Sequence, residues 1–572
     1  MLAAGRRAQD AGALLEETAD LKTAKDKPPG ARQRLLWLLL AACGTTLLLA
    51  TTNYLSQDLA VVPLIWVLPL SLYLLSFVLT FQSERIYRRW WAYPALAVTT
   101  AMACNAIFRS GFISVRAEIY VLSLSQLAGC LVCHGELHRL KPAPRHLTSF
   151  YLMIAAGGAL GTAFVSLVAP VIFQAVWEFH LALGACALLA AAMLLMDPAG
   201  GLRRAPWRAP LATLVVGLLP MVVALNWGVE MPPNLQAYYL VAMGVCALLA
   251  AGAFAWRQRR GKQHPAQRWA QFALLIAPLM LALFLVMDAR SYHGTLVLRA
   301  RNFYGVLSVM EQDRGDPMHD SYELYHGRIL HGLQLRNPAL RHRATSYYSN
   351  QSGIGLALRY HWRRWNPQPD QATLRVGVLG LGTGTILIYA APGDYFRVYE
   401  LNPAIVKLTQ GPDPYFSYVR DARGATDIVL GDARLSLQAE ADRGQFQRFD
   451  VLVLDAFNGD AIPVHLLTRE AFALYVKHLR DDQSVIAINI TNHVLDLSGV
   501  VSALAQEYGF NGVRILTHHK GDYVQETDWI LLSRHSPVLK APPVDSEVRD
   551  LDLGSRAAVW TDDYSNIFSL LK

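Results

Sequence analysis

Cysteine is absent after Cys246, so no disulfide framework can hold the rest of this 572-residue chain together. That part must be stabilised by a core of its own. The cysteines are Cys43, Cys104, Cys130, Cys133, Cys186 and Cys246, all within an apolar stretch. Charge is scarce there too: between Leu35 and Gln82 only Asp58 is formally charged, and the whole chain is 17% charged against 53% hydrophobic. Together with a mean hydropathy of +0.24, this excludes an ordinary soluble protein and a disordered chain. Residues 1–34 lack the apolar run of a signal peptide and end in Pro28, Pro29 and Gly30 before the first apolar segment, as expected of a mobile tail. The net charge of +8 lies largely in short Arg-rich loops between apolar runs, which is how membrane proteins mark their cytoplasmic side. No nucleic-acid partner is expected.

A spanning helix needs roughly 20 apolar residues, because the bilayer offers its backbone no hydrogen bonds. By that criterion residues 35–288 form a multi-pass domain of about nine helices, at 35–53, 59–81, 90–108, 118–137, 149–173, 179–196, 209–229, 235–255 and 269–287. Basic residues cluster in alternate connections, among them Arg85, Arg88 and Arg89, then Arg139, Lys141 and Arg145, as the positive-inside rule requires. The bilayer is therefore the first expected partner, in a bacterial-type inner or plasma membrane. An odd number of crossings from an inside start leaves everything after residue 288 outside, whereas a cytosolic substrate would require it inside. Asp58, Asn105 and Glu118 are costly near lipid, but all lie near segment ends where they can reach water. Cys130, Cys133 and His134 form a CxxCH string, a pattern that also marks covalent haem attachment, and His134 and His138 one turn apart could share a metal with Cys130. The string sits inside an apolar helical run near the basic side. A packed helix end is expected, with no haem and no metal.

After Met287 charges recur every few residues and the apolar period changes. Residues 297–310 and 322–335 alternate and carry β-branched and aromatic side chains, so 289–360 is expected to be a small β-rich lead-in. From Arg375 the run Val-Gly-Val-Leu-Gly-Leu-Gly-Thr-Gly-Thr predicts a buried strand, a glycine turn and a helix. Further strands are expected at 397–400, 427–430, 449–454, 484–489, 513–516 and 529–532, mostly separated by helix-length stretches. This pattern makes 361–572 a doubly wound α/β domain. Gly380, Gly382 and Gly384 would let a ligand approach the turn closely. Glu400 ends the next strand, where a carboxylate can accept both hydroxyls of a ribose; Asp432 ends the third, placed for an adenine amino group; Asp455 ends the fourth, at the crevice where such sheets bind ligands. Carboxylates in register at strand ends predict nucleoside binding.

The strings Val378-Leu-Gly-Leu-Gly-Thr-Gly-Thr, Val398-Tyr-Glu-Leu-Asn-Pro, Gly431-Asp-Ala-Arg and Val453-Leu-Asp-Ala-Phe-Asn-Gly-Asp-Ala-Ile-Pro resemble the spermidine synthase branch of the class I S-adenosylmethionine-dependent transferase fold. The apolar half, with Ala50-Thr-Thr-Asn-Tyr and Pro63-Leu-Ile-Trp-Val-Leu-Pro-Leu, resembles the membrane module of fused transporter-like/spermidine synthase-like proteins. The resemblance implies a multi-pass helical membrane domain followed by a Rossmann-like, class I methyltransferase-type domain. It also implies transfer of an aminopropyl group from decarboxylated S-adenosylmethionine to a small amine or polyamine, without a metal, in polyamine biosynthesis. Asp455 would take the amine's proton and Asp460 would help hold the cationic chain. Gln334 and Tyr347 would contact donor and acceptor, while Asp562, Asp563 and Tyr564 would form part of the amine pocket. A homodimer is compatible with the resemblance.

The sequence departs from that family at Thr383, where an aspartate usually binds the donor's free amine, at Tyr347-Tyr348 in place of a Tyr-His pair, and at His465 in place of a glutamate after the proline. Losing an anion that pairs with a buried ammonium weakens recognition by roughly 1 to 3 kcal/mol. Two alternatives therefore stand beside aminopropyl transfer: methyl transfer from intact S-adenosylmethionine, and a polyamine transporter or sensor regulated by a nucleoside-binding domain.

Overall fold

The computed structural model describes residues 28–59, 64–83, 85–108, 115–196, 296–327, 329–365, 372–456, 463–492, 495–518, 523–541, 548–550 and 559–570. The chain divides near His293 into two compact units. The described part of the first is helical: α1 (Ala31–Asn53), α2 (Val67–Gln82), α3 (Arg89–Phe108), α4 (Val115–Arg139), α5 (Leu147–Ala163) and α6 (Glu178–Met196). Among the described residues, three stretches, Ala31–Ser56, Val115–Arg139 and Pro144–Ile172, are long and apolar enough to cross a membrane. The expected helices at 209–229, 235–255 and 269–287 fall outside the described residues. The expected helix at 59–81 begins only at Val67, because α1 continues as a wider turn from Tyr54 to Leu59 and Leu64 has a left-handed backbone, φ +60°.

Small residues let these helices approach closely. A Cβ on Gly157 or Gly161 of α5 would collide with the backbone carbonyls of Leu38 and Ala42 on α1, the close contact that a small-xxx-small face permits. Glu136, a buried carboxylate not among the sequence candidates, is fully paired: Arg89 forks onto it through Nε and Nη2 at 2.6 Å each, and the hydroxyls of Tyr87 and Tyr93 donate at 2.7 and 3.0 Å. That pairing makes the charge tolerable in an apolar interior. Glu118 is also buried, and the side chains of Asp58 and Asn105 lie outside the described set.

In the second unit each expected β-rich lead-in stretch folds as a hairpin: β1 (Leu296–Asn302) with β2 (Gly305–Gln312), and β3 (Ser321–His326) with β4 (Ile329–Leu335). Asn302 turns the first by accepting from the Tyr304 amide at 2.9 Å, and Gly305 follows at φ +123°. The four strands form one antiparallel sheet. Its buried Leu307, Val309 and Leu324 cluster with Leu408 of α8 (Pro403–Gln410) and Phe416.

The larger sheet has eight strands in the order β12-β10-β11-β9-β8-β5-β6-β7. Strands β5 (Arg375–Leu379), β6 (Tyr395–Glu400), β7 (Ala425–Leu430), β8 (Val451–Leu454) and β9 (Val485–Asn489) are parallel. β11 (Thr527–Ser533) runs antiparallel between β9 and β10 (Asn511–Thr517), and the short β12 (Val548–Asp550) closes the edge. Both faces are covered, as near-continuous apolar strands demand. One carries Val376, Val378, Phe396, Val453 and Trp529 beneath α7 (Gly353–Arg359); the other carries Leu379, Leu452 and Ile488 beneath α9 (Ala433–Asp442), α10 (Arg469–His478) and α11 (Ser498–Glu507). The chain winds outward from β5 through β6 to β7, then returns to place β8 on the opposite side of β5. The crevice at the carboxyl ends of β5 and β8 is therefore the topological switch point.

Candidate active site

Each group comes from a strand end. β5 stops at Gly380, φ +98°, whose amide donates to the Tyr399 carbonyl at 2.9 Å. A Cβ there would strike the Asp455 backbone carbonyl, so the β5 and β8 ends touch only because this residue is glycine. Gly382 and Gly384 also lie at positive φ, +53° and +84°. The expected helix after this turn is instead a short 3₁₀ segment, Thr385–Tyr389. Aligned peptides are then too few to build the dipole that holds a pyrophosphate.

Glu400, at the end of β6, is buried and pinned across the turn. Its Oε2 accepts from the Leu381 amide at 2.9 Å and its Oε1 from the Asn402 amide at 2.7 Å. Burial raises its pKa above the usual carboxylate range while those amides oppose the rise. Asp432 caps α9, accepting from the Leu435 amide at 2.9 Å, and its other oxygen meets His465 Nε2 at 3.0 Å. That contact with His465 is the main reason its pKa lies below the ordinary value.

Asp455 follows β8. Its Oδ2 accepts from the Tyr348 hydroxyl and its Oδ1 from Asn489 Nδ2 at 2.8 Å. The Asn489 amide cannot turn round, because its own Oδ1 accepts from the Thr491 amide at 3.0 Å and hydroxyl at 2.6 Å. Desolvation pushes the Asp455 pKa up to about 6, and the two donated hydrogen bonds restrain the rise. A carboxyl balanced this way stays ionised at neutral pH yet is more basic than an exposed aspartate.

The remaining sequence candidates are distributed unevenly. The structure joins Tyr348, rather than its neighbour Tyr347, to Asp455; Tyr347 packs against the core on the α7 side. Gln334 is buried, with Nε2 donating to the Arg341 carbonyl and Ser417 Oγ at 3.0 Å each and Oε1 accepting from the Ser417 amide at 2.6 Å. Its amide clasps β4 to the loop before Tyr418. Asp562 is held by Arg434 at 2.7 and 2.6 Å and by the Thr468 hydroxyl at 2.9 Å, while Asp563 and Tyr564 are exposed in the same turn. Arg434 also donates to the His465 carbonyl at 2.9 Å, which links this turn to the Asp432 end of the crevice. Asp460 lies outside the described residues. Thr383 is buried, its hydroxyl 2.8 Å from that of Thr385 and its side chain against Gly332 of β4, so an uncharged contact occupies this place.

Sequence reasoning singled out Tyr348 only as a departure from the family's Tyr-His pair, and it missed Asn489 and Arg434. Asn489 carried the one available signal, since it ends the fifth parallel strand as the acids end the others. No family model matches the chain. Over 128 residues, 22% of this chain and 39% of the relative, it is 32% identical to a polyamine aminopropyltransferase of Vibrio vulnificus (strain CMCP6). The chain thus spans about two fifths of the length of that curated relative. Among solved structures, a probable spermidine synthase from Corynebacterium glutamicum ATCC 13032 aligns with 47% of this chain and 97% of its own, at 18% identity and a TM-score of 0.36.

Proposed function

We propose that the second unit is a spermidine synthase-like transferase, anchored in a membrane by the first, that moves an aminopropyl group from decarboxylated S-adenosylmethionine to a small amine. The observation that carries this is Asp455 at the switch point, its carboxyl raised to about 6 and aimed by Tyr348 and Asn489. The similarity to a polyamine aminopropyltransferase supports a transferase. Three apolar helices support the anchor.

The chemistry follows from the acceptor. An alkyl ammonium has a pKa near about 10.4, so presenting it as a free amine at pH 7 costs about 4 to 5 kcal/mol. Asp455 orients the ammonium and accepts its proton as the nitrogen attacks the carbon beside the sulfonium. The new N–C bond forms as the C–S bond breaks in line, and the neutral thioether leaves with both electrons. Raising Asp455 from 3.8 to about 6 makes that proton transfer about 3 kcal/mol less uphill than with an exposed aspartate. Glu400 would hold the ribose hydroxyls, Gly380 and Gly382 would give the nucleoside a close floor, and Asp432 would face the base with one oxygen shared with His465.

Thr383 favours a second reading. With no carboxylate at that turn, the site has less hold on the free amine of a decarboxylated donor, and methyl transfer from intact S-adenosylmethionine would use the same nucleoside cradle. Purified full-length protein given putrescine and each donor separately decides by product mass. An aminopropyl adduct supports the proposal, a methyl adduct replaces it with the second reading, and neither adduct alongside polyamine flux in vesicles would favour a regulated transporter.

A further inference from the structure

The helical unit contains a feature that the transferase chemistry does not use. Cys43 of α1, Cys133 of α4 and Cys186 of α6 point into one spot, their sulfurs all within 4.8 Å of one another and the Cys133 and Cys186 sulfurs 3.9 Å apart. All are buried, with exposures of 6%, 0% and 0%. Free thiols bring little hydrogen-bonding energy to such a place, so a trio from three separate helices calls for another account.

A metal bound to three sulfurs at about 2.3 Å in one plane sets them about 4.0 Å apart, and a tetrahedral arrangement about 3.8 Å. The Cys133–Cys186 spacing of 3.9 Å lies in that range, and Cys43 stands within 4.8 Å of both. His134, next to Cys133 in the chain, makes contacts of its own. Ser76 Oγ lies 2.7 Å from the Tyr73 carbonyl and 2.8 Å from His134 Nδ1. His134 Nε2 is buried and has no hydrogen-bond partner among the described residues, 3.1 Å from where a Cβ would stand on Gly44, the residue after Cys43. Its ring nitrogens are not among the donor atoms that lie within 4.8 Å of one another, so the site is the three sulfurs alone.

We propose that Cys43, Cys133 and Cys186 bind one soft, thiophilic cation, with Cu(I) in a trigonal sulfur site as the best fit. Thiolate donors select such ions, and a monovalent ion is content with three ligands. Each sulfur that binds releases its proton to solvent on loading. The site differs from what the CxxC spacing suggests: Cys130 is not part of the trio, and its sulfur contacts the Gly44 carbonyl at 3.8 Å, as the unloaded Cys43 and Cys186 thiols contact the Ala182 and Gly129 carbonyls at 3.7 and 3.6 Å.

The test loads the full-length protein in detergent with Cu(I) under anaerobic conditions against a competing chelator. Expected are one bound equivalent with about three sulfur scatterers at about 2.3 Å by X-ray absorption, and at least about tenfold weaker retention in Cys43→Ala, Cys133→Ala and Cys186→Ala. Cys130→Ala should retain copper like the parent. Absence of copper from the parent, equal retention by the triple alanine variant, or dependence on Cys130 but not Cys43 would overturn the site. So would a Cys133–Cys186 disulfide in mass spectra of unreduced protein. The absorption spectrum is taken on the parent protein, so it tests the site even where a substitution fails to fold.

Discussion

Replacing Asp455 by asparagine should stabilise the second unit while sharply lowering its turnover, with a pH dependence fixed in sign. In the parent the Asp455 carboxyl has its pKa raised from 3.8 to about 6, so the folded state holds this proton more tightly than the unfolded state does. Between those values the folded form binds more protons, and stability falls as pH rises through the window. By pH 7 the folded chain carries an ionised, desolvated carboxylate at a cost of about 3 kcal/mol relative to low pH. Asparagine carries no charge and the same shape. Its carbonyl can keep accepting from Asn489 Nδ2, which the Thr491 contacts lock in place, and its amide can donate to the Tyr348 oxygen once that hydroxyl turns. Thermal unfolding of full-length protein, followed by fluorescence of the buried Trp529 and Trp560, should show parent and Asp455→Asn together near pH 4. They should separate to roughly 6 °C in favour of the variant above pH 7. Turnover should fall about 10²- to 10⁴-fold, the usual contribution of a general base. A constant offset at all pH values, or a less stable variant at pH 7, would refute the assignment of a desolvation-strained carboxylate.

Three further outcomes follow from the same geometry. Tyr348→Phe removes a donor that holds the Asp455 pKa down, so the acid limb of the kcat/KM profile should move from near pH 6 to higher pH; an unmoved limb would mean that another group sets it. Gly380→Ala meets both a left-handed backbone and the Asp455 carbonyl, and should cost about 1 to 3 kcal/mol in chemical unfolding along with nucleoside binding measured by calorimetry. Glu400→Gln swaps one acceptor oxygen for an amide that cannot accept from Leu381 or Asn402, so nucleoside affinity should fall about 10- to 100-fold, with the acceptor's KM much less affected.

Much of the candidate site was legible because the relevant information is local. A buried parallel strand is a short apolar run, and a carboxylate just beyond it must sit at the sheet's carboxyl edge, so Glu400, Asp432 and Asp455 could be placed without coordinates. The acid that ends each run also announces itself, since nothing within the strand could pair with it. Tyr348 could not be found this way, because it lies 107 positions from the carboxyl it touches, and Asn489 ends a strand without a charge to draw attention. The two lead-in stretches were recognised as β-rich but their hairpins were not, because Asn302 and Gly305 act through turn geometry that alternation does not reveal.

The helical unit shows the same division. Composition and spacing alone determined that apolar helices precede a strand-rich domain, because hydrophobic period and charge density are properties of consecutive residues. The CxxC string drew attention to Cys130 and Cys133 as a local pair, whereas the packing of α1, α4 and α6 selects Cys43, Cys133 and Cys186. Tertiary structure decided which thiols meet, which tyrosine addresses Asp455 and which arginine neutralises Glu136. Those contacts depend on how separate helices and strands pack, and side chains far apart in the chain meet only once the backbone between them has folded.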